Sequence, residues 1–348
     1  MNTSTVTDLS RKGIKRLRVA RVARAHGVDM KEQMRLVARS RSAGRVHGSL
    51  RAAATRRQRR YFWTFVLPAL AIYVVFWIVP LLANIPLSLT RWNGVAALTM
   101  KDFVGFANFS RLAHDAEFGA SLVHNVEFTV VTVLVELVLS LGLALMVEKV
   151  RRLKSVLRTI LVFPTILPFV VVAFLWTWIY QPSFGLLNGV LGAVGLRSLQ
   201  GIWLGNTSTA FPALMVVAIW QSVPFFMILF MAALQGVPQE QVEAAQLDGA
   251  NYSKTLRYVV LPFLRPVTVV VGALLIFNGF RLFDIVYIMT AGGPGFFGTQ
   301  VLSVYIYQLA FSYNALGYGS AVSIVLAVIV FVVALLYLRL FRQRVEVR

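Results

Sequence analysis

The sequence predicts an all-α membrane protein with six transmembrane helices. Three observations point there. Of 348 residues, 58% are hydrophobic and only 14% are charged, whereas about a quarter are charged in soluble domains. The mean hydropathy is +0.72. Windows of about 20 mostly apolar residues, the length that crosses a hydrocarbon core, recur six times. The absence of cysteine excludes disulfide frameworks, thiolate metal sites and cysteine nucleophiles.

Charge divides the chain before any helix is placed. Residues 1–60 hold 17 Lys/Arg against three acids (Asp8, Asp29 and Glu32), so most of the net +20 sits there. We read 1–60 as a basic cytoplasmic tail, poorly ordered or amphipathic, and 61–348 as the membrane domain. A cleavable signal does not fit, because the first long apolar stretch begins some sixty residues in and lacks a small-residue cleavage pattern. Clustered Arg beside a span fixes orientation and attracts anionic lipid headgroups. Nucleic acid would use the same charges, but no recognition motif or interleaved aromatic accompanies them before Tyr61. Met30 and Met34 lie within the tail as alternative starts of translation.

The spans follow in order. The first lies within Tyr61 to Thr90, thirty residues without a charge. The second runs about Phe128 to Val147 and is interrupted only by Glu136; the third runs about Thr159 to Tyr180. The fourth, about Phe211 to Leu234, is the most apolar part of an uncharged stretch from Ser198 to Gln239. The fifth, about Val267 to Met289, carries Arg281 and Asp284, and the sixth covers about Ser320 to Leu338. Trp63, Trp77, Trp92, Trp176, Trp178 and Tyr180 fall near span ends, as an interfacial aromatic belt requires.

Lys and Arg are retained on the cytoplasmic side of short loops. With the N-terminus inside, the inner segments hold 29 basic residues, and the outer loops hold four: Arg91, Lys101, Arg111 and Arg197. Both termini are therefore expected in the cytoplasm.

Catalytic chemistry is missing. No Gly-x-x-x-x-Gly-Lys-Ser/Thr loop exists to cradle a nucleotide, and His26, His47, His114 and His124 offer no His-Glu-x-x-His spacing for zinc. Gly317-Tyr318-Gly319 begins like a dinucleotide fingerprint, but Val322 stands where its third glycine belongs. The chain is expected to be no enzyme and to bind no cofactor itself.

Between spans four and five, the sequence from Val237 to Pro266 reads as two short helices and a turn. Pro238 suits a helix start, Glu240 and Glu243 complement the dipole there, and Gly249 can stop the helix with φ > 0. A second helix would then run toward Pro262. Ala244, Ala245, Gly249 and Ala250 leave a face without bulk, suited either to an interfacial connector or to close approach by another protein.

Glu243-Ala244-Ala245, Asp248-Gly249-Ala250 and Val259-x-Leu261-Pro262 together resemble the cytoplasmic EAA loop of ABC importer permeases. Leu256 stands where that pattern commonly has Phe, and Val259 where it has Ile. Phe277-Asn278-Gly279-Phe280-Arg281-Leu282-Phe283-Asp284-Ile285-Val286-Tyr287, then Thr290 to Pro294, resembles the sugar-type branch that includes maltose and glycerol-phosphate importers. Phe103 to Phe109 and the Trp220 region are similar as well. The resemblance covers about Tyr61 onward.

That resemblance implies a binding-protein-dependent sugar importer in a bacterial cytoplasmic membrane. It implies a second permease chain as a heterodimeric partner, two ATPase subunits holding ATP and Mg, and an extracytoplasmic solute-binding protein. Glu243, Ala244, Ala245, Asp248, Gly249, Ala250, Leu256 and Pro262 would form the ATPase-coupling surface. The rival is an ion- or proton-coupled secondary transporter with Glu136, Arg281 and Asp284 as its relay.

Polar groups are costly inside a bilayer, so they mark pathway candidates. Asn278, Arg281 and Asp284 recur at i, i+3 and i+6 and so share one side of span five. Arg281 and Asp284 could neutralise each other or meet substrate. Trp220 and Gln221 offer a flat indole and an amide, groups a sugar ring can use, and Tyr287 closes the set. Glu136 is expected to pair within the bundle.

Overall fold

A computed structural model describes residues 62–150, 153–295 and 297–341. The tail boundary expected at residue 60, and Arg342 and Arg344 beyond the last span, lie outside the described residues. The chain divides into two units, residues 1–80 and 81–348.

In the first unit the described part is helical from Phe62 onward. This helix, α1, spans Phe62–Ser88 with a π-helical turn at Val74–Ile78.

The second unit contains the last turns of α1, from Leu81, and all the helices that follow it. α2 (Ala107–Leu112) leads to α3 (Ala116–Lys149), a single helix of 34 residues. α4 (Lys154–Ile166) and α5 (Phe169–Ile179) follow, then the short α6 (Leu186–Ala193) and the long α7 (Thr207–Leu234). Beyond the loop helix α8 (Gln239–Leu247), a turn of helix at Tyr252–Thr255 and a π-helical turn at Leu256–Val260 run into α9 (Leu261–Phe280). α10 (Asp284–Met289), α11 (Leu302–Ser312) and α12 (Leu316–Phe341) complete the order. Among the described residues, extended pairing is limited to a single bridge between Thr90 and Phe103.

Among the described residues, five helices are long and apolar enough to cross a membrane, and a sixth exists if α4 and α5 count as one span. The chain is thus a multi-pass, all-α membrane protein. The third expected span is not straight, because α4 and α5 meet at 96°. Pro168 dictates the break: it disfavours helical geometry at Leu167, which turns extended with ψ 135. The carbonyl that Leu167 releases is taken by Gln221, whose Nε2 donates to it at 2.9 Å.

α7 is the central post. In its most apolar window 61% of residues are buried, against 11% in α12. It supplies Phe211, Leu214, Val217 and Ala218 to one core cluster with α3, α5 and α10, and Phe226, Met227, Phe230 and Met231 to a second with α3 and α9. Its internal Pro212 and Pro224 are tolerable because packed neighbours support the freed backbone. A third cluster joins α2, α3, α11 and α12 around Leu302, Tyr305 and Tyr318.

The start of α3 is pinned by Asp115. Its Oδ1 accepts the N–H groups of Glu117 and Phe118 at 2.9 and 3.2 Å, and its Oδ2 accepts the hydroxyls of Tyr305, at 2.6 Å, and Tyr318. Burial works against this carboxylate, but those four bonds prevail and hold its pKa below the usual range. Farther along α3, fully buried Asn125 donates to the Gly279 carbonyl and accepts the Leu302 N–H at 2.7 Å. Gly279 is required there, because any Cβ would strike Thr129 of α3.

Candidate functional site

Two places carry the residues singled out in the sequence: the α8 loop and a cavity between α3, α7 and α9.

The loop forms as its turn chemistry dictates. Pro238 is the N-cap of α8, with Glu240 in the first turn. Gly249 ends the helix with φ +80, and the N–H groups of Asp248, Gly249 and Ala250 close on the carbonyls of Ala244, Gln246 and Ala245 at 2.9 to 3.0 Å. Asn251 then caps the next helix by accepting the Lys254 N–H at 2.9 Å.

No residue of α8 is buried. Glu243, Ala244, Asp248 and Gly249 are exposed, Ala245 and Ala250 half-buried, and a Cβ built on Gly249 meets nothing within 4 Å. Leu247 is 90% exposed, although it is the most apolar residue of that turn. Sequence reasoning missed Leu247, because the pattern shows an apolar residue without showing that none of the described residues covers it. Leu256 is half-buried and Pro262 exposed.

The second loop helix does not stop near Pro262. It continues into α9 through the π-helical turn, in which the Leu261 N–H reaches back to the Leu256 carbonyl. The wider turn shifts the ladder by one residue just where Pro262 removes a donor. Lys149, the last residue of α3, places its Nζ 3.8 Å over the Tyr252 ring, which links α3 to the loop.

The cavity has a volume of about 320 Å³. Thr132 and Glu136 line it from α3, Ser222 from α7 and Asn278 from α9, together with Arg281 and Asp284. Those last three meet there by a different route from the expected helical face. α9 ends at Phe280, Arg281 caps it, and Asp284 begins α10, so a break brings them together. Arg281 and Asp284 make no ion pair, and the guanidinium lies 5.0 Å over the Phe277 ring instead. Glu136 is 5% exposed and has no ion-pair partner among the described residues. Thr132 and Ser222 gave no sequence signal, since single hydroxyls in apolar helices are common.

The other pathway candidates lie elsewhere. Gln221 is buried at the α4–α5 elbow, where its Nε2 donates to the Leu167 carbonyl while its Oε1 has no partner among the described residues. Trp220 stands edge-on to Trp176 at 5.6 Å and lines a separate apolar groove of about 600 Å³ with Trp178 and Phe184. Tyr287 lies outside the cavity and stacks on Phe283, a residue that lines it. Among the described residues, no group of three or more His, Asp or Glu could hold a metal.

Residues 137–347 match the family described as binding-protein-dependent transport system inner membrane component. The chain belongs to this family. It is 35% identical over 291 residues to the trehalose/maltose transport system permease protein MalF of Thermococcus litoralis, covering 83% of this chain and 96% of that one. The probable ABC transporter permease protein YurN of Bacillus subtilis is 33% identical over 286 residues, covering 82% and 97%. A bacterial alginate ABC transporter, solved in complex with an alginate pentasaccharide-bound periplasmic protein, shares the fold with TM-score 0.74 at 22% identity, covering 83% and 96%. The chain is accordingly a permease subunit of an ABC importer that couples to an ATPase, and not an enzyme. Membership of this family also decides against the secondary-transporter reading.

Proposed function

We propose that the chain forms half of the translocation pathway of a sugar or oligosaccharide importer in a bacterial cytoplasmic membrane, with a second permease chain as the other half. In this reading α4 and α5 together make the third of six spans, and the 29-to-4 distribution of basic residues puts both termini and α8 in the cytoplasm. Residues 1–60 are the basic cytoplasmic tail and 61–348 the membrane domain. An extracytoplasmic solute-binding protein delivers the substrate, and two ATPase subunits supply ATP and Mg.

The observation that carries the coupling role is the uncovered face of α8. Leu247 projects into open space beside Gly249, whose left-handed turn leaves no side chain in the way. Such a face suits insertion into a cleft on the ATPase, with Glu243, Ala244, Ala245, Asp248 and Ala250 around it and Leu256 and Pro262 behind it. Movement of the loop then passes to α9 through the continuous helix and to α3 through Lys149 and Tyr252. Asn278, Arg281 and Asp284 face the substrate at the cavity, with Glu136 and Ser222 opposite. The sugar class is supported by what permeases such as the trehalose/maltose protein are named for.

Gentle purification of the C-terminally tagged chain from native membranes tests this reading. It predicts co-elution of an ATPase subunit and a second permease, vanadate-sensitive hydrolysis, and saccharide-loaded binding protein as the stimulant. Elution as an intact homo-oligomer without hydrolysis would refute it.

A further inference from the structure

Four rings follow one another without a gap at the end of the bundle away from α8. Phe283 and Tyr287 stack with centroids 5.1 Å apart and planes 12° from parallel. Tyr307 stands edge-on to Tyr287 at 4.8 Å and meets Phe283 at 5.4 Å, and Phe311 continues from Tyr307 at 5.0 Å. Phe283 is also a wall of the polar cavity, beside Arg281 and Asp284. The run therefore begins inside the cavity and ends at Phe311, which is 70% exposed.

Core packing alone does not account for it, because none of the four rings is buried, and Tyr287 and Phe311 are 36% and 70% exposed. An interfacial aromatic belt would also use tyrosines, but this series opens on a cavity lined by Arg281 and Asp284, which a belt facing lipid does not. The outer rings also sit on a braced element. Gln308, between Tyr307 and Phe311, accepts from Gln300 at 2.6 Å and donates to the Ala291 carbonyl at 3.1 Å.

We infer that Phe283, Tyr287, Tyr307 and Phe311 form a stacking ladder for the pyranose rings of the incoming saccharide. This rests on the sugar reading given above. A pyranose presents a flat C–H face that an aromatic ring can cover, and edge hydroxyls that need polar partners; the ladder supplies the first and the polar cavity lining the second. The cavity lies at the small end of the range for ligand pockets. A saccharide longer than it can hold must extend outside, and the ring series continues from the cavity wall at Phe283. The ladder thus selects for chain length, and its outer rungs matter little to a monosaccharide.

The test uses the whole importer with its binding protein in proteoliposomes. Uptake of labelled glucose, maltose, diacetylchitobiose, maltotetraose and chitotetraose is compared for wild type, Tyr307→Ala, Phe311→Ala, Phe311→Leu and Tyr307→Phe. Loss of one stacking contact should lower the ratio of tetrasaccharide to shorter-sugar uptake about tenfold in Tyr307→Ala and both Phe311 variants. Tyr307→Phe should keep the ratio. Phe311 is exposed enough for its truncation to leave the fold intact, and Phe311→Leu keeps apolar bulk while removing the ring. Equal uptake in all variants, equal loss at every length, or a wild type confined to monosaccharides overturns the ladder. A wild type that carries no saccharide overturns the sugar reading itself.

Discussion

The two ends of α3 are held in opposite ways. At Ala116 the helix is fixed by Asp115, whose carboxylate accepts two backbone N–H groups and two tyrosine hydroxyls from α11 and α12. At Lys149 its link to the loop is a cation over an exposed tyrosine ring. The contrast assigns each end its task. In the proposed coupling, a helix that answers to a moving loop needs one end that stays still and one that can give, and Glu136 and the cavity lie along α3 between the two.

The largest expected effect lies beyond the yielding end. Gly249→Leu forces a side chain into φ +80 and places bulk on the uncovered face, so uptake should fall at least tenfold while the chain still enters the membrane. Unchanged uptake and unchanged binding-protein-stimulated hydrolysis would remove Gly249 from the coupling surface. At the fixed end, Asp115→Ala strips a cap and two charge-assisted bonds. It should cost about 3 kcal/mol, read as a lowered melting temperature of the purified complex. A melting point within error of wild type would mean that the two ends do not differ.

Acid sharpens the same contrast. Because folding lowers the pKa of Asp115, its stabilisation is complete above the unfolded value of about 4 and is lost as pH falls through the folded value. Between neutral pH and pH below about 4, wild type should lose more stability than Asp115→Asn; parallel profiles would assign acid sensitivity to other groups. The smallest effect belongs to Lys149→Ala. An exposed cation over a ring contributes about 0.5–1 kcal/mol, so stability should barely move. A loss as large as that of Asp115→Ala would show the inner end to be fixed too.

These two ends also differ in how legible they were. The α8 loop is written locally: Pro238, Gly249 and Asn251 each act within four residues, so turn chemistry alone locates the helix and its stop. Polar residues in an apolar run announced Asn278, Arg281 and Asp284 in the same way, although a helix break rather than a shared face unites them. The Asp115 clamp had no such signature, because its partners Tyr305 and Tyr318 lie 190 and 203 residues away. Gln221 is a similar case. An amide in a span suggests a substrate contact, and only the fold reveals that its donor is spent on Leu167, 54 residues earlier. The third span was expected to run unbroken from Thr159 to Tyr180, and the 96° bend at Pro168 went unread because its angle depends on what packs against either arm.

The π-helical turn at Leu256–Val260 has a geometric consequence for the chain beyond it. Such a turn accommodates one residue more than the α-helical path around it, and one residue of α-helix is about 100° of azimuth. A helical wheel drawn straight through from Tyr252 therefore points Asn278 about 100° away from its actual bearing. The extra residue keeps loop and cavity in phase. A one-residue deletion within 256–260 should leave that phase intact, whereas the same deletion anywhere from Val267 to Leu274 would swing Asn278 out of the cavity.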